Sequence, residues 1–575
     1  MRDTFYFAVP ALTAVMLASC VEQAYQDGVG LAPKDTSSSS TGEPPGIPTT
    51  SSAGDPGVHT ATGPEVAESS TSAGPTSASD STGVGGNAAP KIEGFSASPK
   101  HLDEAGPIKL ELVASDDVEV VKVHLELDGE KLAELTLADF PYTHDVLSAK
   151  DNGDKRAFKV TVEDGEGLTA ESTDEVGIQL PQSGVEKCIF EDPEAGTVTS
   201  MIAAVTFTST ASVAVGARDT GGGLRLTVWM LEPKGCKLMP GWPKSMANWG
   251  SDKELMKLVS IGSAVDVDED GNIVVAGNLL VDGKPQSYVA LLTEDGSRLW
   301  EKAGLVGDEV AGVAAARAEY KNRVFVVGSQ RTSDAPVRTD GAVWVYHATG
   351  DKVWVPPPTT LRAPFTLDEV DPDKLNVLSE WVRAVVIQPG TGNAFVVGER
   401  EFKPTGMDVY TRAFAARIQP LGATVGTPWT SAAKPGFAHN AARTVSVCGQ
   451  AVMAGGWTRD VPADAQPQPM LYWFGDDGVE TKHRADLQLA ATQTNGIACD
   501  REGKIVSAGI RAAGSPDAQV FSVTGLFDAP VWYDTGDVSN DGAGAMACDP
   551  LGFCGWGGYR TADKKPYAVL RVHHP

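Results

Sequence analysis

Three carboxylates at alternate positions of one short segment have a spacing that could bind a metal ion. Asp266, Asp268 and Asp270 precede a glycine in a D-x-D-x-D-G pattern. This spacing lets three carboxylates converge on one Ca²⁺, while the glycine permits a sharp bend. The twelfth position is Gly277, whereas an EF-hand loop has a bidentate glutamate there. The segment therefore predicts either a Ca²⁺ site or an acidic hairpin turn, and Ca²⁺ is the one cofactor that the sequence suggests.

The other chemistry-bearing residues form no linear enzyme motif. The sequence has no H-E-x-x-H, no G-x-S-x-G, no Walker loop, and no C-x-x-C pair that would suggest zinc or redox chemistry. The chain carries 47 Lys and Arg against 75 Asp and Glu, a net charge of −28. Because nucleic-acid binding needs clustered basic residues, this charge argues against a nucleic-acid partner.

The first twenty residues are typical of a bacterial export signal. Arg2 is followed by an apolar stretch over 5–17, which is too short to cross a bilayer, and then by Leu-Ala-Ser-Cys at 17–20. This ending resembles the lipobox of bacterial lipoproteins, which implies that Cys20 is acylated and becomes the N-terminus. Val21 in place of an aspartate implies, by the same resemblance, the outer membrane or cell surface. The alternative is an ordinary signal peptide in which Cys20 is incidental.

The composition of residues 21–89 predicts a disordered tether. Most of this segment consists of Ser, Thr, Gly and Pro with almost no large apolar side chain, so it cannot bury a core. No later stretch approaches about 18 consecutive apolar residues. We therefore expect the lipid to be the only membrane anchor.

Residues 90–181 change to the alternating pattern of β-strands. Residues 107–114 and 118–127 alternate apolar and polar side chains, and Asp128-Gly129 supplies a turn. Several short strands in one segment favour a β-sandwich. The segment resembles bacterial immunoglobulin-like modules at 114–117, 140–142 and 158–168, which implies a spacer or an accessory binding unit.

Residues 185–575 contain a sevenfold repeat. In each repeat a turn residue is followed, six positions later, by a glycine that ends a short β-rich segment. The pairs are Thr210/Gly216, Gly271/Gly277, Asn322/Gly328, Gly392/Gly398, Gly449/Gly455, Gly503/Gly509 and Gly552/Gly558. A further β-rich segment follows in each repeat, at 226–229, 288–291, 342–345, 413–416, 471–474, 520–523 and 568–571. Such units favour propeller blades over the alternative of a β-helix or solenoid, whose units are shorter.

The two ends of the repeat array complement each other. Four repeats add a fourth segment with a tryptophan, at Trp300, Trp354, Trp429 and Trp532, whereas the last repeat stops after its third segment. Residues 187–190 precede the first repeat and belong to no repeat of their own. We predict that they supply the missing strand and close a seven-bladed β-propeller without exposed edges. The predicted fold is therefore all-β: a disordered linker, an immunoglobulin-like sandwich and a seven-bladed propeller.

Single repeats resemble known propeller families. Residues 264–277 resemble bacterial seven-bladed propeller repeats, and residues 291–300 are similar to the turn-and-tryptophan ending of quinoprotein blades. The quinoprotein resemblance implies a quinone and a metal, but that family's cofactor ligands have no counterparts that we can place here.

Propellers build sites from side chains around the central channel. Residues just before each innermost strand would surround one mouth of that channel. They are Trp381, His439, Asn440, Asn495, Asn540 and Asp541. An aromatic ring, an imidazole, amides and a carboxylate suit a polar or sugar-like ligand, and ordinary turn and capping chemistry is the alternative.

Six cysteines besides Cys20 suggest disulfides in an exported protein. They are Cys188, Cys236, Cys448, Cys499, Cys548 and Cys554, which allow fifteen pairings. The last two flank one hairpin, and the first two would lie on outer strands of neighbouring blades. These placements favour those two pairs and leave the middle two cysteines for each other.

The sequence thus predicts a lipid-anchored surface protein whose propeller binds a protein or an envelope glycan. A surface glycan hydrolase or lyase that uses the channel is the first alternative. The second is an outer-membrane assembly factor, by resemblance to the propeller lipoprotein of the barrel-assembly machinery.

Overall fold

A computed structural model describes most of the chain after residue 86. The described residues are 87–147, 149–208, 210–233, 236–316, 323–334, 337–347, 349–350, 361–362, 377–388, 391–402, 410–419, 424–431, 439–449, 451–459, 468–475, 480–484, 492–499, 505–511, 517–523, 531–534, 542–562 and 565–574. Cys20, the predicted tether up to residue 86, Trp354, Asn540 and Asp541 lie outside them.

The described residues are all-β, which confirms the predicted fold class. Besides strands they contain three short 3-10 turns, at Leu137–Asp139, Ala149–Asp151 and Leu255–Lys257. Nothing helical in this part of the chain has the length and apolar character needed to cross a membrane.

Residues 91–178 form two facing sheets. One contains β1 (Lys91–Ser98), β3 (Gly106–Ser115) and β6 (Tyr142–Val146) in the order β1-β3-β6. The other contains β2 (His101–Leu102), β4 (Val120–Leu127), β5 (Glu130–Leu135), β7 (Gly153–Asp164) and β8 (Thr169–Ile178) in the order β2-β8-β7-β4-β5. Inward side chains such as Ile108, Leu125 and Phe158 are completely buried in one cluster between the sheets. The predicted alternation of 107–114 and 118–127 thus falls on β3 and β4, where alternate side chains face the core.

Residues 186–573 form seven four-stranded antiparallel sheets among the described residues. Sheet 1 contains β10 (Ser200–Phe207), β11 (Ser212–Asp219), β12 (Leu224–Leu231) and β13 (Lys244–Ser245). Sheet 2 contains β14 (Val259–Val267), β15 (Ile273–Val281), β16 (Lys284–Leu292) and β17 (Arg298–Val306). Sheet 3 contains β18 (Asp308–Ala315), β19 (Arg323–Asp334), β20 (Val337–His347) and β21 (Leu361–Arg362). Sheet 4 contains β22 (Val377–Ile387), β23 (Ala394–Phe402), β24 (Tyr410–Ile418) and β25 (Thr424–Thr430).

The last three sheets follow the same plan. Sheet 5 contains β26 (His439–Cys448), β27 (Ala451–Arg459), β28 (Gln468–Phe474) and β29 (Glu480–Arg484). Sheet 6 contains β30 (Thr492–Cys499), β31 (Ile505–Arg511), β32 (Asp517–Val523) and β33 (Val531–Asp534). Sheet 7 contains β34 (Gly542–Cys548), β35 (Cys554–Ala562), β36 (Lys565–His573) and, from the start of the array, β9 (Glu186–Glu191). The predicted closing segment 187–190 lies in β9, where Phe190 pairs with Leu570 of β36.

The seven sheets form a closed, propeller-like ring. The first strand of each sheet contacts the first strand of the next, and β34 of sheet 7 contacts β10 of sheet 1. A hydrophobic cluster lies between each successive pair of sheets. The cluster between sheets 7 and 1 includes Phe190, Ile202 and Leu570, so the two ends of the array share one core.

Each first strand contains a β-bulge at the same place, opposite a glycine of the second strand. The residues just before the bulge pair with Gly216, Gly277, Gly328, Gly398, Gly456, Gly509 and Gly558. At Gly216, Gly328 and Gly398, for example, a Cβ atom would overlap a main-chain oxygen of the first strand. The repeated glycine is therefore needed for close approach of two strands. In sheet 5 the residue in this register is Gly456, one position after the predicted Gly455.

Three disulfides join the six cysteines in the pairs that the sequence favours. Cys188–Cys236 ties β9 of sheet 7 to the segment after β12 of sheet 1. Cys448–Cys499 joins the first strands of sheets 5 and 6, and Cys548–Cys554 joins the first two strands of sheet 7. Cys236 lies between strands, whereas the sequence predicted an outer strand for it.

The sandwich contacts the ring beside the closing strand. Lys187 of β9 donates to Glu104 across 2.8 Å, and Ala105 packs in the cluster between sheets 7 and 1. The sandwich therefore meets the ring where its two ends join.

Candidate functional site

The seven bulges place seven side chains at one level of the ring. The bulge residue of each first strand has no partner in the ladder: Ala203, Ser263, Ala311, Arg383, Arg443, Asn495 and Gly544. Each of these seven is partly or fully exposed, while the residue before each of them is buried. A Cβ atom at Gly544 would lie 3.7 Å from the Cα of Ala203 in the next sheet. We call these seven residues the bulge ring, and they lie on the accessible inner side of the first strands.

The large polar side chains of the bulge ring all lie on one side of it. Four of its members, in sheets 1, 2, 3 and 7, are Ala, Ser, Ala and Gly. The other three are Arg383, Arg443 and Asn495, which occupy the consecutive sheets 4, 5 and 6. One arc of the bulge ring therefore carries large polar groups, and the opposite arc carries small side chains or none.

One buried carboxylate holds both arginines of this arc. Glu399 of β23 accepts a hydrogen bond of 2.8 Å from Nε of Arg383, and its other oxygen lies 3.3 Å from Nη2 of Arg443. The side chain of Glu399 is only 5% exposed, whereas those of Arg383 and Arg443 are 15% and 16% exposed. Burial raises the pKa of Glu399, but Arg443 and Arg383 outweigh this effect and hold the pKa below its ordinary value. The carboxylate is therefore ionised and fixes the two guanidinium groups side by side.

Trp381 lies beside this arginine pair. It lies two residues before Arg383 on β22, next to the bulge. The guanidinium carbon of Arg383 is 5.7 Å from the centre of the Trp381 ring. The sequence predicted Trp381 just before an innermost strand, but the structure places it within one.

A second ion pair lies deeper between sheets 3 and 4. Nε of Arg400 is 2.9 Å from Glu380, and the guanidinium lies over the Phe414 ring at 4.7 Å. Burial raises the pKa of Glu380 to about 7, Asp340 adds to this shift, and Arg400 opposes it. Both side chains are almost completely buried, so this pair belongs to the core of the ring rather than to its surface.

Charge is unevenly distributed along the arc. Residues 377–459, from the first strand of sheet 4 to the second strand of sheet 5, contain eight Lys and Arg against four Asp and Glu. Over 377–534, which covers sheets 4, 5 and 6 completely, the count is 13 Lys and Arg against 15 Asp and Glu. The arc as a whole is therefore not basic, and any attraction for an anion depends on the two arginines themselves.

Asn440 makes hydrogen bonds between two neighbouring sheets. It is the second residue of β26 and is 6% exposed. Its side-chain oxygen accepts the main-chain N–H of Ala413 at 2.8 Å and also the hydroxyl of Ser431, both in the preceding sheet. Ser200 and Ser260 make the same bond from the equivalent position, to Ala568 and Leu226. The buried amide of Asn440 thus joins two sheets, and its predicted role in ligand binding stays a prediction.

His439 and Asn495 have different surroundings. His439 is half-buried, its Nδ1 is 3.3 Å from the Thr411 hydroxyl, and burial together with Arg459 lowers its pKa. It is therefore a neutral imidazole near the start of β26. Asn495 belongs to the bulge ring and donates to the main-chain oxygen of Ala543 at 3.1 Å. Of the four predicted channel residues that the structure describes, Trp381 and Asn495 lie at or beside the polar arc.

The predicted Ca²⁺ segment forms a turn in which the carboxylates diverge. Asp268 accepts the main-chain N–H groups of Asp270 and Asn272, at 2.9 and 2.8 Å. Asp266 instead accepts the N–H of Ala315 in sheet 3 at 2.8 Å. Within the described residues no group of three or more His, Cys, Asp and Glu could hold a metal ion. Residues 268–272 form the turn between β14 and β15, and Ca²⁺ binding there stays a prediction.

Sequence reasoning missed Arg383, Arg443 and Glu399. The bulge residue follows the residue that pairs with the repeated glycine, so the glycine register could have found the two arginines. Glu399 immediately follows Gly398, and its position could have been read in the same way.

Comparisons with known proteins give only distant similarities. No protein-family model and no curated protein matches the chain. A protein of unknown function from Dyadobacter fermentans is 10% identical over 68% of this chain and 98% of its own, with a TM-score of 0.36. Sqt1 from Chaetomium thermophilum, bound to the N-terminus of ribosomal protein L10, is 12% identical over 68% of this chain and 100% of its own, with a TM-score of 0.37. A sialidase from Trypanosoma rangeli in complex with sialic acid is 10% identical over 74% of this chain and 58% of its own, with a TM-score of 0.33. Similarities this low carry no argument about the site.

Proposed function

We propose that this chain is a lipid-anchored protein of the bacterial outer surface whose ring of sheets is a seven-bladed β-propeller that binds an envelope glycan or a protein. In this proposal, residues 1–20 are the lipoprotein signal and residues 21–89 the tether. Residues 90–181 are an immunoglobulin-like spacer and residues 185–575 the propeller. Cys20 carries the lipid.

The observation that supports a binding role is the grouping of the large polar side chains on one side of the bulge ring. Its side chains are carried by paired strands rather than by loops, and a buried carboxylate fixes its two arginines. A site that holds fixed polar groups on one side and small side chains on the other suits recognition of a ligand. Most glycan hydrolases use two carboxyl groups, one on each side of the scissile bond. Among the described residues, the bulge ring instead carries guanidinium and amide groups, which favours binding over cleavage.

The anchor is tested by lipid labelling of the full chain in a bacterial host. We expect the wild-type protein to incorporate an alkyne-tagged fatty acid and to be reached by an antibody on intact cells, whereas Cys20→Ser loses the label. The variant Cys548→Ser/Cys554→Ser also replaces cysteines, those of the disulfide in sheet 7, but should keep the label. An unlabelled wild-type protein in the soluble fraction would overturn the anchor.

The binding role is tested with the full chain purified in detergent. It is titrated against purified envelope polysaccharides and envelope proteins, and the polysaccharides are analysed for new reducing ends. Saturable binding without new ends supports the proposal. New reducing ends would favour the surface enzyme, and no binding to any member of the panel would reject the proposed function.

A further inference from the structure

We infer that the polar arc of the bulge ring binds a carboxylated sugar, with Arg383 and Arg443 holding its carboxylate and Trp381 packing against the sugar ring. This inference rests on the proposed binding function and names the class of ligand.

The arrangement of Arg383 and Arg443 suits the binding of a carboxylate. Arg383 and Arg443 come from the same position of two neighbouring first strands, so their guanidinium groups lie side by side. Glu399 already bridges them, one oxygen towards each arginine, and thereby shows that a carboxylate fits between the pair. The two side chains keep 15% and 16% exposure, so a second carboxylate can reach them from the channel. Planar guanidinium groups pair with carboxylates better than lysine would.

Trp381 favours a sugar over other carboxylates. Trp381 is partly exposed, and the centre of its ring lies 5.7 Å from the guanidinium carbon of Arg383. An aromatic face beside a fixed charged group fits a ligand that has an apolar ring face and one acidic substituent. A pyranose that carries a carboxylate has both features, whereas the side chain of an acidic peptide has only the second.

The rest of the bulge ring carries no bulky side chain. Ala203, Ser263, Ala311 and Gly544 on the other arc have small side chains or none. A ligand held by the polar arc would therefore meet no large side chain from these four positions.

The test measures binding of defined probes to the full chain in detergent by calorimetry. Trigalacturonic acid is the acidic sugar, galactotriose is its neutral counterpart, triglutamate is the peptide probe and inorganic phosphate tests for unselective anion binding. Arg443→Gln removes one guanidinium and leaves Glu399 paired with Arg383. Arg218→Gln is the matched control, because Arg218 is also 16% exposed and paired with a buried carboxylate, Asp192, but lies in sheet 1.

We expect trigalacturonic acid to bind at least about tenfold more tightly than galactotriose or triglutamate, and Arg443→Gln to remove this preference. Arg218→Gln should bind as the wild type does, and Trp381→Leu should weaken both sugars. If Arg443→Gln lowers the melting temperature, the double variant Arg383→Gln/Glu399→Gln is used instead. The double variant removes one positive and one negative charge together.

Three results would overturn the inference. They are equal binding of acidic and neutral sugars, tighter binding of triglutamate or phosphate, and unchanged binding by both arginine variants. If none of the four probes binds while an envelope component from the wider panel does, the carboxylated sugar is rejected and the proposed binding function stands. If nothing in either panel binds, both are rejected.

Discussion

Gly398 lies so close to the main-chain oxygen of Trp381 that any Cβ atom at this position would overlap it. The contact occurs at the bulge of sheet 4, where Val382 pairs with Gly398 and Arg383 leaves the ladder. The absence of one side chain on the second strand therefore lets the first strand turn Arg383 towards the channel.

We predict that Gly398→Ala destabilises the protein by about 3 kcal/mol, because the overlapping atom is main chain and cannot move away without breaking the ladder. Gly94→Ala is the control, since a Cβ there has nothing within 4 Å. Urea unfolding of the full-length variants measures both effects. Equal unfolding midpoints for Gly398→Ala and Gly94→Ala would show that the strands can separate at the bulge without cost.

Much of the ring could be predicted from the sequence because its repeats carry local signals. The glycines, the β-rich segments and the unpaired segment 187–190 were enough to place the second, third and closing strands. The register in sheet 5 was off by one residue, because Gly455 and Gly456 are adjacent and a pattern of glycines does not show which one meets the bulge.

The site was harder to predict because its positions have no common residue type. The bulge ring contains Ala, Ser, Arg, Asn and Gly at equivalent positions, so no motif marks it. Asn440 has the residue type expected of a ligand-binding side chain, but its amide bonds Ala413 of the preceding sheet. Whether the Asn440 side chain is buried or exposed depends on which face of β26 packs against the neighbouring sheet. That face is fixed only when the sheets pack.

We predict that Asn440→Ala lowers the free energy of unfolding by about 1–3 kcal/mol, since the buried N–H of Ala413 loses its acceptor. Asn440→Ser should recover part of this loss, because Ser200 and Ser260 make the same bond in sheets 1 and 2. Urea titration of the three proteins checks the order wild type, Ser, Ala. An alanine variant as stable as the wild type would mean that this bond between the sheets contributes nothing net.

The disulfide at the ring closure should stabilise the protein more than the disulfide within sheet 7. Cys188–Cys236 spans a sequence separation of 48 residues and Cys548–Cys554 one of 6. If each bond acts by restricting the unfolded chain, the longer loop contributes about 2 kcal/mol more. The double alanine variants, unfolded in urea without reductant, give the difference, which should vanish when all three proteins are reduced. A larger loss from Cys548→Ala/Cys554→Ala would contradict this expectation.

Glu380 should make the stability of the ring depend on pH. Burial raises its pKa in the folded protein to about 7, from an ordinary value of 4.5, with a further increase from Asp340 and opposition from Arg400. Between these two values the folded protein binds a proton that the unfolded chain has released. The contribution of Glu380 to stability is therefore greatest below pH 4.5, falls as the pH rises towards 7, and stays low above it.

Glu380→Gln removes this titration. We predict that the stability of the wild type relative to Glu380→Gln falls by on the order of 2–3 kcal/mol between pH 5 and pH 8. Glu254→Gln is the control, because it removes an acidic group whose side chain is 78% exposed, and its curve should run parallel to that of the wild type. Urea unfolding at a series of pH values gives the three curves. If the Glu380→Gln curve is also parallel to the wild type, then Arg400 keeps Glu380 ionised in the folded protein, and the pair acts as a buried salt bridge throughout this range.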